Sequence, residues 1–391
     1  MILPKLAIRS LLGAGLRTWL NVAVLSLAFV VIIGMQGLVE GMNRQATQAT
    51  TEVEIGGGQY WQANYDPQDP LTLADAHAPI PEELRQLVDS GRATPILALQ
   101  GFLYIGGNFR PVLLKGIDPA QRVLSLPSAS LAATDAETPA FIGSRMAKTA
   151  GLKVGDVVTL RWRDARGTFD AEDVRIAVVM NTPVQSVDIG QIWLPLERLR
   201  RMARMETEAT LVVLARDSTR PAGLIAGWNF KDLDFLLQDI RQMAESKSAG
   251  SAIGYVVLLG LAMLAILDTQ VLSIFHRRKE MGTLMALGLS RMKVIQLFTL
   301  EGALHAVLAG LVGAIYGIPL LTHFVRTGWA LPAATDSYGF AIGDRLYPAY
   351  SASLVAGTTL LVLVVTTVVS YLPTRRIAKL KPTDALRGRL T

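Results

Sequence analysis

The sequence predicts an α-helical membrane protein with four transmembrane helices and a large extracytoplasmic α+β domain between helices 1 and 2. Three observations predict it. Hydrophobic residues make up 51% of the 391 residues and charged residues only 18%, against about 25% charged in ordinary soluble domains. Four runs reach the roughly 20 apolar residues that a helix needs to cross the hydrocarbon core. The basic residues gather in short pieces beside those runs, which is the bias of cytoplasmic loops.

In chain order, residues 1–42 hold an N-terminal surface helix and the first span, centred on Leu20–Val39. Lys5, Arg9 and Arg17 precede the span and suit lipid headgroups. The span is longer than a signal-peptide core and no A-x-A-like site follows it, so it is expected to stay as an anchor. Residues 43–250 form the external domain, 251–275 the second span, 276–293 a cytoplasmic loop and 294–321 the third span. A short external loop, 322–351, leads to the fourth span at 352–372 and a cytoplasmic tail at 373–391. The net charge is +6, yet residues 1–19, 276–293 and 373–391 carry +3, +4 and +5. With both termini in the cytoplasm, all three pieces stay inside and the external domain lies outside. That topology explains the basic residues better than nucleic-acid binding does.

Within 43–250, strand-like runs fall at Val53–Ile55, Ile96–Ile105, Val112–Ile117, Val157–Arg163, Val174–Met180 and Thr210–Ala215. Ser144–Ala150 reads as a helix closed by Gly151, and Lys153–Asp156 as a turn. Leu196–Met205 and Lys231–Ser246 read as helices, the second leading into the second span as a stalk. Pro79, Pro81 and Gln62–Asp69 mark loops.

The motifs of common chemistries are missing. There is no cysteine, which excludes disulfides and cysteine-ligated zinc. There is no G-x-x-x-x-G-K-[ST] phosphate loop and no H-E-x-x-H, and no G-x-S-x-G elbow. His77, His276, His305 and His323 show no metal-ligand spacing. Each cytoplasmic piece is too short to fold as a catalytic domain. The chain is therefore not expected to be an enzyme or to hold a cofactor.

The loop after the second span carries the most information. On a helix, Met281, Leu284, Met285 and Gly288 share one face, while Lys279, Glu280 and Thr283 point elsewhere. Gly288 suits the helix end and Ser290 the next N-cap. An apolar face at the cytoplasmic surface fits two partners, the lipid or a groove on a protein.

The loop runs Arg277-Arg278-Lys279-Glu280-Met281-Gly282-Thr283-Leu284-Met285-Ala286-Leu287-Gly288, then Ser290-Arg291-Met292-Lys293-Val294 and Glu301-Gly302. The chain closes with Pro373, Arg375-Arg376, Pro382 and Asp384-Ala385-Leu386-Arg387. These residues resemble the signatures of FtsX/MacB/Lol-type ABC transporter permeases. Phe141–Ser144, Gly155-Asp156 and Trp193–Pro195 resemble the periplasmic domain of that family. The resemblance implies a permease subunit of a bacterial inner membrane that pairs with a second copy or paralogue. It implies separate ABC ATPase subunits that bind ATP and Mg, and a coupling helix, Arg277–Gly288, docked on them. Mechanical transmission to the external domain would then serve lipoprotein release or another hydrophobic substrate. Drug or peptide export with a periplasmic adaptor, and regulation of a periplasmic partner, are the alternatives. A lipoprotein carrier belongs to the first reading.

Inside the spans, Gly302, Ala306, Gly310, Gly313 and Gly317 share a helix face, and Gly313-x-x-x-Gly317 is a small-residue packing motif. It suits packing within the chain or a seam between two permease halves. Asp268 is an intramembrane carboxylate, costly there and therefore a functional candidate, although it is near enough to the loop to snorkel. Glu301 and His305 are spaced i, i+4 and suit a side-chain pair. Reporters fused at residue 150 and residue 285 are expected on opposite sides of the membrane. Protease protection in spheroplasts checks this, and finding both on one side contradicts the topology.

Overall fold

The computed structural model describes residues 16–132, 137–221, 223–243, 246, 250, 253–254, 256–257, 259–261, 263–264, 267, 283, 285, 288–330 and 345–377. Asp268, Arg277, Arg278, Lys279, Glu280, Met281, Gly282, Leu284 and Leu287 lie outside the described residues, as does the tail from residue 378. The chain divides into two units. One comprises 1–43, 244–330 and 345–391, and the other 44–243 and 331–344.

The first unit is helical. Helix α1 is Leu16–Thr50, and the division between the units falls within it. Among the described residues, three helices are long and apolar enough to cross a membrane: Trp19–Ile55, Arg291–Thr327 and Ala352–Leu372. Much of the expected second span lies outside the described residues, and those described between 253 and 267 are helical. The outward surfaces are apolar, with Leu27, Leu311, Ile315 and Leu360 all exposed. Only lipid or another apolar partner covers such a surface.

Small residues set the packing inside this unit. A Cβ on Gly317 would lie 2.7 Å from Val30 Cγ2, and one on Gly313 would lie 3.4 Å from the Ser26 carbonyl oxygen. On α1, Gly37 lies beneath the Tyr350 ring, where a Cβ would come within 1.9 Å of ring carbon Cε1. Gly41 meets the Tyr347 carbonyl, where a Cβ would lie 2.1 Å from the oxygen. The Ala349 N–H donates to the Gly37 carbonyl at 2.9 Å. The extended segment Tyr347–Ser351 therefore rests on bare backbone. Thr358 donates to Gln36 Oε1 at 2.7 Å and Tyr316 to Ser26 Oγ at 3.3 Å. Pro319 lies inside its helix, where the Thr322 hydroxyl donates to the Ile318 carbonyl at 2.7 Å.

The second unit is β-rich. The strands of its main sheet are β1 (Gln59–Gln62), β2 (Ala93–Ile105), β3 (Asn108–Ile117), β4 (Thr138–Gly143), β5 (Val157–Arg163), β6 (Phe169–Met180), β7 (Gln191–Pro195), β8 (Leu211–Leu214) and β9 (Trp228–Lys231). They form one sheet in the order β9-β1-β8-β2-β3-β7-β4-β6-β5, and β2 also pairs with β5. That extra pairing closes β2, β3, β7, β4, β6 and β5 into a ring. The length of β2 allows it: Ala93–Ile96 pairs with β8, while Gly101–Tyr104 pairs with β5. Alternating residues fill the ring, among them Leu97, Leu99, Leu114, Leu160, Trp162 and Ile192. This is the two-residue period of strands. Helix α3 (Ser144–Ala150) and helix α4 (Leu196–Ala203) pack Met146 and Leu199 against the same core. Helix α2 (Glu82–Asp89) packs Leu84 and Leu87 on a separate core around Tyr60 and Trp228. Gly151 caps α3 at φ 70°.

Two sequence expectations change. Val53–Ile55 is not a strand; it lies in a π-helical turn, Thr51–Ile55, closed by the Gly56 N–H donating to the Thr51 carbonyl at 2.8 Å. Thr51, Val53 and Ile55 are buried and Glu52 and Glu54 are not, so the strand-like alternation is real while the hydrogen bonds are helical. Lys231–Ser246 is not one helix either. Lys231 ends β9 opposite Gln59, a short helix, α5, covers Leu233–Leu236, and Leu237 interrupts it.

Replacing Gly37 or Gly41 with Leu is expected to destabilise the chain by at least ~1–3 kcal/mol, as overpacking does. Gly310→Ala meets nothing within 4 Å and is expected to be neutral or stabilising. Thermal unfolding in detergent compares the three, and equal midpoints contradict the packing.

Candidate functional site

Three places carry the candidates: the approach to the third helix, the interior of the helical unit and the root of the β-rich unit. The third helix is α6 (Arg291–Thr327) and the last is α7 (Ala352–Ile377).

At the approach, Met285 and Gly288 of the expected ATPase-facing stretch are described. Gly288 has φ 95° and donates its N–H to the Met285 carbonyl at 3.1 Å, a left-handed turn that glycine makes without strain. Met285 and Leu289 are partly buried against Val294 and Phe298 of α6. Met285 is thus a brace between loop and helix, and only part of its surface remains for a partner. Ser290 occupies the N-cap position of α6, but its hydroxyl makes no capping bond. The Ser290 carbonyl accepts the first helical bond, from the Val294 N–H at 3.2 Å, but the expected side-chain cap is not made.

In the interior, Gly302, Ala306, Gly313 and Gly317 are buried and Gly310 is partly buried. Gly313 and Gly317 face α1, so this motif packs within the chain. Glu301 and His305 are both buried, yet they do not meet as the expected ion pair. His305 Nδ1 bonds the Glu301 backbone carbonyl at 2.8 Å. A carbonyl only accepts, so Nδ1 carries the proton. The helix offers that carbonyl one turn back, so the ring's partner is backbone rather than the Glu301 side chain. Hydroxyls of Thr358, Thr366, Ser370 and Thr374 add a buried polar stripe on α7. Among the described residues, no group of three or more His, Asp or Glu is placed to hold a metal ion.

At the root of the β-rich unit lies a cluster that sequence reading missed. Lys115, in the middle of β3, is buried. Its Nζ lies 3.5 Å from Glu54 Oε1 and 5.1 Å from the centre of the Trp193 ring. Ser186 donates to Glu54 Oε2 at 2.6 Å, and Gln59 donates to the Glu54 carbonyl at 2.7 Å. Burial first, then the negative charges of Glu54 and Asp66, push the nearby Tyr65 phenol well above its ordinary range. The π-helical turn is thereby pinned to the sheet by the Glu54–Lys115 ion pair and the Gln59 hydrogen bond, and to the short helix Gln185–Asp188 by Ser186. The signal was present: a lysine inside the apolar run Val112–Ile117 needs a partner if buried.

The MacB-like periplasmic core domain family matches residues 18–227, and the FtsX-like permease C-terminal family matches residues 252–382. The chain belongs to the FtsX/MacB-type family of ABC transporter permeases. An uncharacterized ABC transporter permease of Methanocaldococcus jannaschii is 28% identical over 41% of this permease and 39% of its own length. The macrolide export ATP-binding/permease protein MacB of Wolinella succinogenes is 25% identical over 57% of this chain and 32% of its own. The MacB protein of Rhodopirellula baltica is 26% identical over 52% and 27%. This permease thus spans well under half the length of each of these relatives. The solved extracellular domain of the noncanonic ABC-type transporter YknZ from Gram-positive bacteria aligns over 41% of this chain and 83% of its own, at 13% identity and a TM-score of 0.26. The permease is a membrane protein with a periplasmic-type β-rich domain.

Lys115→Ala is expected to destabilise the chain by roughly 1–3 kcal/mol, less than a fully buried pair costs because Glu54 keeps 26% of its side-chain surface exposed. Glu54→Gln in the same background should add little. Unfolding midpoints of the single and double variants measure the cycle, and additive losses contradict the clasp.

Proposed function

We propose that this permease is the membrane subunit through which separate ABC ATPase chains drive movement of the periplasmic-type domain. In this reading it acts on a lipoprotein or another hydrophobic substrate at the outer face of a bacterial inner membrane. The observation that carries the reading is that the FtsX-like match at 252–382 contains the whole stretch Arg277–Gly288. Arg277, Arg278, Lys279 and Glu280 supply charge for a partner groove, and Met281, Leu284, Met285, Leu287 and the Gly282 and Gly288 backbones supply the apolar grip. ATP and Mg are bound by the partner. Four spans, both termini in the cytoplasm, and pairing with a second copy or paralogue complete the proposal. Asp268, in the expected second span, and Glu301 and His305, buried on α6, belong to it as polar candidates with no assigned chemistry.

A second reading is export through a periplasmic adaptor. The Wolinella and Rhodopirellula relatives favour it, since both are macrolide export proteins by name. Affinity purification from the native membrane separates the two: a soluble lipoprotein carrier supports release, and an adaptor supports export.

Leu284→Asp puts a charge into the apolar grip, and burying an unpaired charge costs several kcal/mol. Both this variant and Glu280→Lys are expected to lower ATPase copurification on the order of tenfold or more, with the permease still inserted. If both variants hold the ATPase as the parent does, the docking role of this stretch is wrong.

A further inference from the structure

A cavity of about 470 Å³ lies between α1, α6 and α7, within the ~300–1,000 Å³ typical of ligand sites. Its lining runs along α6 from Ala306 to Thr322, which is roughly 24 Å at 1.5 Å per residue. Val30 of α1, Gly310 and Ala314 of α6 and Val362 of α7 form its walls. All of these lie on helices apolar and long enough to span a membrane.

The walls offer water few partners. A buried water takes about three hydrogen bonds, and the hydroxyls of Thr322 and Thr359 already donate to Ile318 and Val355 carbonyls at 2.7 Å. The slot is long, and its walls are apolar along that length. A single hydrocarbon chain fits a long, apolar slot. The outer end is marked by Tyr350 and Thr322, with exposed Trp329, Tyr347 and Arg326 in the segments that follow or precede them. Aromatic residues of this kind lie at the headgroup level.

We propose that this slot holds one acyl chain of a membrane phospholipid, with its headgroup at the Thr322/Tyr350 end. Glycine at 310 keeps the slot open, since a Cβ there meets nothing within 4 Å. Larger side chains at this position can therefore fill the slot without displacing backbone.

The test uses the full chain, purified in detergent, delipidated and equilibrated with palmitoyl-oleoyl-phosphatidylglycerol vesicles. Native mass spectrometry then counts the phosphatidylglycerol retained. The parent is expected to keep one molecule per chain, and Gly310→Phe to keep at least about tenfold less while eluting as the parent does in size exclusion. Ala314→Phe is an independent filling variant, for use where Gly310→Phe does not fold. No retention by the parent, or equal retention by the filled variants, overturns the proposal. So does a disulfide between copies through Ala314→Cys, in a chain with no other cysteine, because it puts a second copy in the slot.

Discussion

The helical unit depends on how closely α1 approaches its neighbours. In a bilayer, lipid tails are as apolar as leucine, so helices gain little from merely leaving their solvent. Contact distance then decides. Val30 seats against Gly313 and Gly317, and Gly37 and Gly41 let the Tyr347–Ser351 segment rest on the α1 backbone. The hydrogen bonds that follow, Ala349 to Gly37 and Thr358 to Gln36, form only because the chains are already that near. A methyl group at any of these glycines except Gly313 would have to displace something.

The β-rich unit solves a different problem. Its ring of strands closes because one long strand serves both arms of the sheet, which leaves β5 no free edge for other chains to pair with, while β9 still ends the branch. The cost falls at the entry, where α1 ends in a π-helical turn. Such turns are frequent at functional sites, and here Glu54 and Lys115 fix the turn to the sheet. A buried lysine with one carboxylate is a modest source of stability but a strict geometric requirement.

The first, third and fourth spans were legible because hydropathy is a property of composition and needs no partner. The strands Val157–Arg163 and the helix Ser144–Ala150 were legible because alternation and a glycine stop are local signals. Gly313-x-x-x-Gly317 was legible as a motif, but its partner, Val30, lies almost three hundred residues away in the chain. Gly37 and Gly41 escaped notice because they pack on an extended segment rather than on a helix. Val53–Ile55 misled because apolar and acidic residues alternate there, and hydrogen bonding inherited from α1 outweighed that local pattern. Glu301 and His305 were near one another as spacing predicts, but the ring found a backbone carbonyl first. The family resemblance carried what periodicity left open, namely whether the Arg277–Gly288 stretch faces lipid or protein.

The claim that a glycine seam holds the first and third helices in contact has a direct test. A Cβ at position 317 would lie 3.7 Å from Val30 Cβ, within the ~3.5–4.5 Å of a disulfide. The chain has no cysteine of its own, so the double variant Val30→Cys, Gly317→Cys introduces a single pair. Mild oxidation in native membranes is expected to form an intramolecular disulfide, seen as a mobility shift on non-reducing gels. No disulfide, or one that links only separate copies, would contradict the seam.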